Sequence, residues 1–286
     1  MHTVIAGTGY TGKRVARLLP PGTVSAISRS DASLPGVAVE LVDFDETGAG
    51  RLEIPDTCAL LYTVPPPTSG DDDPRLARFL ERLSPAPARI VYLSTSGVYG
   101  DRRGNTVTEA DGPTPATPRA GRRIAAEALL TRYGEQHGTA VFILRVPGIY
   151  GPGRMGLDRL RDSGEVLRDE DSGPANRIHV DDLAACCVVA LTADAPAGIY
   201  NVGDGDHRST SAFSRLLAEL SGLPEPDAIS LAEAETRWSA MRLSFVRESR
   251  RVDTTRMREV LGFSPRYADP ADGIRASLAE EAAQAD

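Results

Sequence analysis

The sequence predicts an α/β fold: a doubly wound, mostly parallel sheet with a smaller C-terminal cap. Three observations carry this expectation. Short β-branched apolar runs alternate with helical periodicity up to residue 145. The segment Gly7-Thr8-Gly9-Tyr10-Thr11-Gly12 stands between the first run and the first helical stretch. Beyond Arg145 the alternation gives way to Gly- and Pro-rich sequence and shorter helical segments. A chain of 286 residues can bury a core of this kind without disulfide staples.

The expected strands are residues 4–6, 24–28, 37–42, 59–63, 90–94 and 140–144. Each is a near-continuous apolar run, which suits strands covered on both faces of a parallel sheet. Helices fit between them at 11–19, 74–83 and 119–135, the last with Ile124, Ala125, Ala128 and Leu129 at helical spacing. Right-handed crossovers then place helices on both faces. Pro65-Pro66-Pro67 and Asp71-Asp72-Asp73 read as a solvated loop, and Pro147 to Arg154 as a loop region. A helix follows His179-Val180-Asp181-Asp182, and a short strand at 198–202 rejoins the sheet. The expected division is a dinucleotide-binding domain at 1–147 plus 178–202, with a substrate-binding cap at 148–177 plus 203–286 over the strand ends.

Composition narrows the partners. Against 40 acidic residues stand 32 lysines and arginines, a formal charge of −8, which disfavours nucleic acid and anionic membranes. Met1 leads into an apolar strand without a basic leader, and no apolar stretch is long enough to span a bilayer, so a cytoplasmic location is expected. Cys58, Cys186 and Cys187 lack metal-binding spacing and read as core thiols. The expected partner is a small-molecule substrate, with a homodimer left open.

In the glycine loop, Gly7 would form the tight turn and Gly9 would let backbone N–H groups approach a pyrophosphate. Gly12 would let helix and strand pack closely, with Thr8, Tyr10 and Thr11 completing a Rossmann-type site. The second strand ends Ser28-Arg29-Ser30 instead of with the acid that holds a free ribose diol. A guanidinium between two hydroxyls suits a 2′-phosphate, so NADP(H) is favoured over NAD(H). In the alternative, Arg29 is solvated and Asp31 turns in to the ribose.

Further motifs follow in order: Asp43-Phe44, Tyr92-Leu93-Ser94-Thr95-Ser96-Gly97-Val98-Tyr99-Gly100, and Leu144-Arg145-Val146-Pro147-Gly148-Ile149-Tyr150-Gly151-Pro152-Gly153. Arg177-Ile178-His179-Val180-Asp181-Asp182-Leu183-Ala184, Tyr200-Asn201-Val202-Gly203 and Leu261-Gly262-Phe263-Ser264-Pro265-Arg266-Tyr267 complete the series. Over nearly its whole length the chain resembles the extended or atypical short-chain dehydrogenase/reductases of NAD-dependent epimerase/dehydratase type. The resemblance implies that Thr95 hydrogen-bonds the reacting substrate oxygen, or, in the bland alternative, that Ser94 and Thr95 satisfy local backbone. It also implies cofactor contacts from Asp43, Phe44, Thr63, Val64, Pro65, Ser94, Pro147 and Gly148.

One departure stands out. Counting back from Glu127, Arg123 occupies the family's lysine position and Arg119 its tyrosine position, and Lys13 is the only lysine in the chain. A guanidinium, with a pKa above about 12, cannot trade a proton near neutral pH. Arg123 can still donate to a nicotinamide ribose, and Arg119 can bind an anion or stabilise developing charge on oxygen; alternatively both face solvent. Tyr99, Tyr150, Tyr10, His179 or a water are the remaining proton-transfer candidates, Tyr99 being grouped with Thr95, Arg119 and Arg123 as candidate catalytic residues. Ala175 replaces the family's substrate-side arginine, a part Arg154 or Arg177 can take. The expected function is an NADP-dependent oxidoreductase or epimerase/dehydratase-like enzyme on a small hydroxyl or carbonyl substrate. The alternatives are an NADP(H)-binding sensor or scaffold without chemistry, and a non-redox reaction such as cyclisation.

Overall fold

Seven parallel strands form the central sheet of the computed structural model, which describes residues 1–30, 34–46 and 50–285. They are β1 (Thr3–Ala6), β2 (Val24–Ser28), β3 (Ala38–Leu41), β4 (Ala59–Tyr62), β5 (Arg89–Thr95), β6 (Ala140–Val146) and β7 (Gly198–Asn201). Their order is β7-β6-β5-β4-β1-β2-β3. The order reverses between β1 and β4, the switch point at which α/β sheets open a ligand crevice beyond the strand ends. Every residue of β1 and β4 is buried, as apolar runs without alternation require.

Helices cover both faces. On one, α1 (Tyr10–Leu18) and α4 (Val180–Thr192) bury Val15, Leu183, Cys186 and Cys187 against Ile5, Leu61 and Val91. On the other, α2 (Pro74–Arg82) and α3 (Pro118–His137) bury Leu76, Phe79, Ala126 and Leu130 against Tyr62 and Tyr92. All three cysteines are buried free thiols. The start of α3 is fixed locally: Thr117 accepts from the Ala120 amide, Pro118 fills the first turn, and Gly138 at φ 68° ends the helix.

The expected loop after Arg145 is in part a strand. β6 runs on to Val146, Pro147 cannot donate to the ladder, and the chain then leaves the sheet. Gly148–Tyr150 instead pairs in parallel with Arg177–His179, outside the central sheet. This pair adjoins a hydrophobic cluster in the segments expected to form the cap, which gathers Tyr150, Met155, Leu160, Phe213, Leu217 and Ile274. Among the described residues no helix is long and apolar enough to cross a membrane.

Candidate functional site

The three loop glycines have three different reasons to be glycine. Gly7 has φ +95°, and a Cβ there would stand 2.6 Å from the Thr63 hydroxyl, which donates to the Gly7 carbonyl at 2.8 Å. A Cβ on Gly12 would stand 2.1 Å from the Gly7 carbonyl oxygen, so α1 can approach β1 only without one. At Gly9 a Cβ would meet no atom within 4 Å, and φ is −75°, so chain packing does not demand glycine there. Gly9 is the N-cap of α1, with no side-chain cap and no acid in the first turn. Its first amides therefore point to the cleft without a side-chain acceptor, as an anion site requires. Thr8 donates to the Ser28 hydroxyl at 2.7 Å, tying the loop to the end of β2.

This loop opens on a cleft of about 590 Å³. Ser28, Arg29, Ser30 and Phe44 line one end of it, Thr63, Val64 and Pro65 the floor, and Ser94, Thr95, Arg123 and Pro147 the other end. Gly12, Asp43 and Gly148 do not line it. Gly12 is buried on the face of α1 that packs against the glycine loop and β1, Asp43 accepts from the Asp45 amide in a local turn, and Gly148 faces a second cleft. Asp31 lies outside the described residues. The Arg29 side chain is 64% exposed, with its guanidinium 3.9 Å from Asp45. Arg75 and Arg154 also line the cleft, and the sequence reading assigned neither to the cofactor. Arg75 chelates Asp45 at 2.5 and 2.6 Å, holding that carboxyl below its usual range.

At the inner end, Arg123 donates to the Leu93 carbonyl at 2.8 Å and to the Tyr92 hydroxyl at 2.9 Å. It is thus anchored at the cleft wall, while burial pushes the Tyr92 hydroxyl up to about 12. Thr95 accepts from the Gly97 amide at 3.1 Å, and its own O–H has no acceptor among the described residues. Ser94 donates instead to Glu127, which forms a buried ion pair with Arg145 at 2.8 Å.

Three of the other proton-transfer candidates, Tyr99, Tyr10 and His179, are tied down. Tyr99, read from the sequence as a candidate catalytic residue, is fully buried; its hydroxyl donates to Asn201 at 2.7 Å, and it lines neither cleft. Its place in the motif follows from packing with Val98, Val107 and Val252. Tyr10 donates to the Pro152 carbonyl at 2.9 Å, and burial pushes its hydroxyl up to about 12. His179 caps α4 through the Asp181 amide and meets Ser277 at 3.0 Å, with its pKa lowered by burial. Tyr150 differs: it lines the second cleft, its hydroxyl has no hydrogen-bond partner among the described residues, and burial pushes that hydroxyl up. Arg119 lines neither cleft; its guanidinium lies 4.7 Å from the ring of Phe245.

A second cleft, of about 820 Å³, is lined chiefly by residues of the segments expected to form the cap. Ser96 faces it, one residue beyond Thr95, so the end of β5 stands where the two clefts adjoin. Its wall is rich in arginine. Arg237 pairs with Glu165 and Arg250 with Glu248, whereas Arg154, Arg159, Arg177 and Arg242 have no carboxylate within 4.0 Å among the described residues. Burial pushes Arg177 down to about 10.

Close to Arg177, burial pushes the Asp204 carboxyl up to about 7, and one of its oxygens is buried without a hydrogen-bond partner. An unfolded aspartate titrates near about 3.9, so between these values the folded chain binds more protons than the unfolded one. Stability should therefore fall as pH rises from about 4 to about 7 and level off above, by at most about 4 kcal/mol from this group. Urea unfolding at both ends of that window checks it: Asp204→Asn should flatten the slope, and an unchanged slope would remove Asp204 as its source.

Comparison with known proteins finds a family match over part of the chain. Residues 75–203 match the NAD dependent epimerase/dehydratase family. The chain is 28% identical over 250 residues to Protein YeeZ of Escherichia coli (strain K12), covering 85% of this chain and 83% of YeeZ. A functionally unknown conserved protein from Silicibacter pomeroyi DSS superposes with a TM-score of 0.80 at 28% identity, over 98% of this chain and 99% of that one. MoeE5, solved in complex with UDP-glucose and NAD, shares the fold at a TM-score of 0.77 and 19% identity, with complete coverage of both chains (100% of each).

Proposed function

From the match of residues 75–203 to the NAD dependent epimerase/dehydratase family and the arrangement of the two clefts, we propose that the chain is an NADP-dependent oxidoreductase or epimerase/dehydratase-like enzyme acting on a small hydroxyl or carbonyl compound. The observation that carries this reading is the junction at β5: Thr95 lines the glycine-loop cleft and Ser96 lines the cap cleft. A bound nicotinamide dinucleotide would supply the hydride acceptor or donor.

The chain's own residues divide the remaining work. The amides of residues 8–11 hold a diphosphate at the positive end of α1. Ser28, Arg29 and Ser30 receive the 2′-phosphate; the exposed contact of Arg29 with Asp45 is long and weak enough to yield to it. Arg123 holds fixed positive charge beside Leu93 and Thr95. Thr95 offers its free O–H to a substrate oxygen. Because neither Arg119 nor Arg123 exchanges a proton near neutral pH, the proton passes through water in the cap cleft.

Separate titrations with NADPH and NADH test the cofactor, followed by hydride exchange with a panel of carbonyl compounds and sugars read at the nicotinamide absorbance. NADPH should bind at least about tenfold more tightly, and Arg29→Ala should remove that margin while leaving NADH affinity in place. Equal affinities in the unmodified protein would defeat the 2′-phosphate assignment. A second reading, a dinucleotide-binding sensor or scaffold without chemistry, draws on Arg119 packing against Phe245 where the family carries its proton donor. Tight NADPH binding with no exchange across the panel would favour it.

A further inference from the structure

Among the described residues the two clefts share only Ile149 and Arg154, and Arg154 is the charged one. Its position is fixed by the segment from Gly151 to Arg154, which is pressed against the glycine loop. The Tyr10 hydroxyl donates to the Pro152 carbonyl at 2.9 Å. Gly151, at φ +148°, approaches Tyr10 so closely that a Cβ would stand 2.7 Å from its hydroxyl. From the far side, the Gly153 amide donates to Glu281 at 2.6 Å, so the C-terminal helix braces the same turn. The Arg154 guanidinium then lies 4.3 Å from the centre of the Tyr10 ring.

This places an uncompensated cation over the first residue of α1, at the edge of the glycine-loop cleft. The Arg154 guanidinium has neither a carboxylate within 4.0 Å nor a hydrogen-bond acceptor among the described residues, while its backbone amide donates to the Gly151 carbonyl at 2.9 Å. Tyr10, which it covers, is held neutral by burial. Holding a guanidinium over a neutral ring at the rim of an anion-binding loop leaves its donors available for an anion entering that cleft.

We propose that Arg154 grips the diphosphate of the bound dinucleotide from the cap side, adding a side-chain charge to the backbone amides of the glycine loop. The proposal rests on the dinucleotide reading above. It differs from the Arg29 assignment in the part of the ligand it concerns, so ligand fragments separate the two.

Calorimetric titration of the intact chain and of Arg154→Met with NADPH, ADP-ribose and adenosine 2′-phosphate tests it. Arg154→Met should weaken NADPH and ADP-ribose about tenfold and leave adenosine 2′-phosphate, which has no diphosphate, unchanged. Arg154→Lys should restore part of the loss, and the salt dependence of ADP-ribose affinity should become shallower in the Met variant. Unchanged ADP-ribose affinity, or an equal loss for all three ligands, would overturn the assignment. If the unsubstituted chain binds none of them, the dinucleotide reading itself fails and takes this one with it.

Discussion

Gly9→Val should weaken NADPH binding by about a hundredfold or more while lowering the melting temperature by no more than about 3 °C. The backbone of Gly9, at φ −75° and ψ −158°, is extended and open to any L-residue. A Cβ there touches nothing in the chain, so the fold loses only the difference between glycine and valine as an N-cap, about 1 kcal/mol or less. The same branched side chain would stand among the amides that the loop presents to a diphosphate. Gly12→Ala is the contrasting control. Its Cβ would drive into the Gly7 carbonyl at 2.1 Å, so it should unfold the first helix–strand contact and lose stability and binding together. Thermal melts paired with NADPH titration distinguish the two, and a Gly9→Val protein that still takes up NADPH at the original affinity would remove the glycine loop as its binding site.

The glycine loop and the sheet were legible because both are local patterns. The runs at β1, β4 and β5 announce strands buried on both faces, and three glycines between a strand and a helix leave little else to build. What was not legible depends on contacts between distant residues. Arg154 meets Tyr10 across 144 positions of sequence, and Arg75 becomes a cleft residue only because α2 brings it to Asp45. Residue type also misleads where burial decides. Tyr99 and His179 carry groups that do chemistry elsewhere, but here one fills a core beside Asn201 and the other caps α4. Pro147 shows the same limit in the backbone: Gly- and Pro-rich sequence signals a break in the sheet, but not that the chain pairs with Arg177–His179 immediately beyond it.

Glu127→Ala should cost about 3–5 kcal/mol of stability, the loss expected when one member of a buried ion pair is removed and the other stays charged. The side chains of Arg145 and Glu127 are only 3% and 8% exposed. Arg145 donates to Glu127 at 2.8 and 3.2 Å, and one guanidinium nitrogen is already buried without a partner. Removing the carboxylate strands a cation between β6 and α3, beside the Tyr99 ring 4.8 Å away, and deprives Ser94 of its acceptor next to Thr95. Glu127→Gln should fall between, because an amide oxygen can still accept from Ser94 while the charge is gone. The double variant Glu127→Leu with Arg145→Met should recover most of the loss, since it leaves no lone buried charge. Urea unfolding of the four proteins measures all three differences, and a loss below about 1 kcal/mol for Glu127→Ala would mean that water reaches Arg145 and that the pair is not what holds the end of β5 in place.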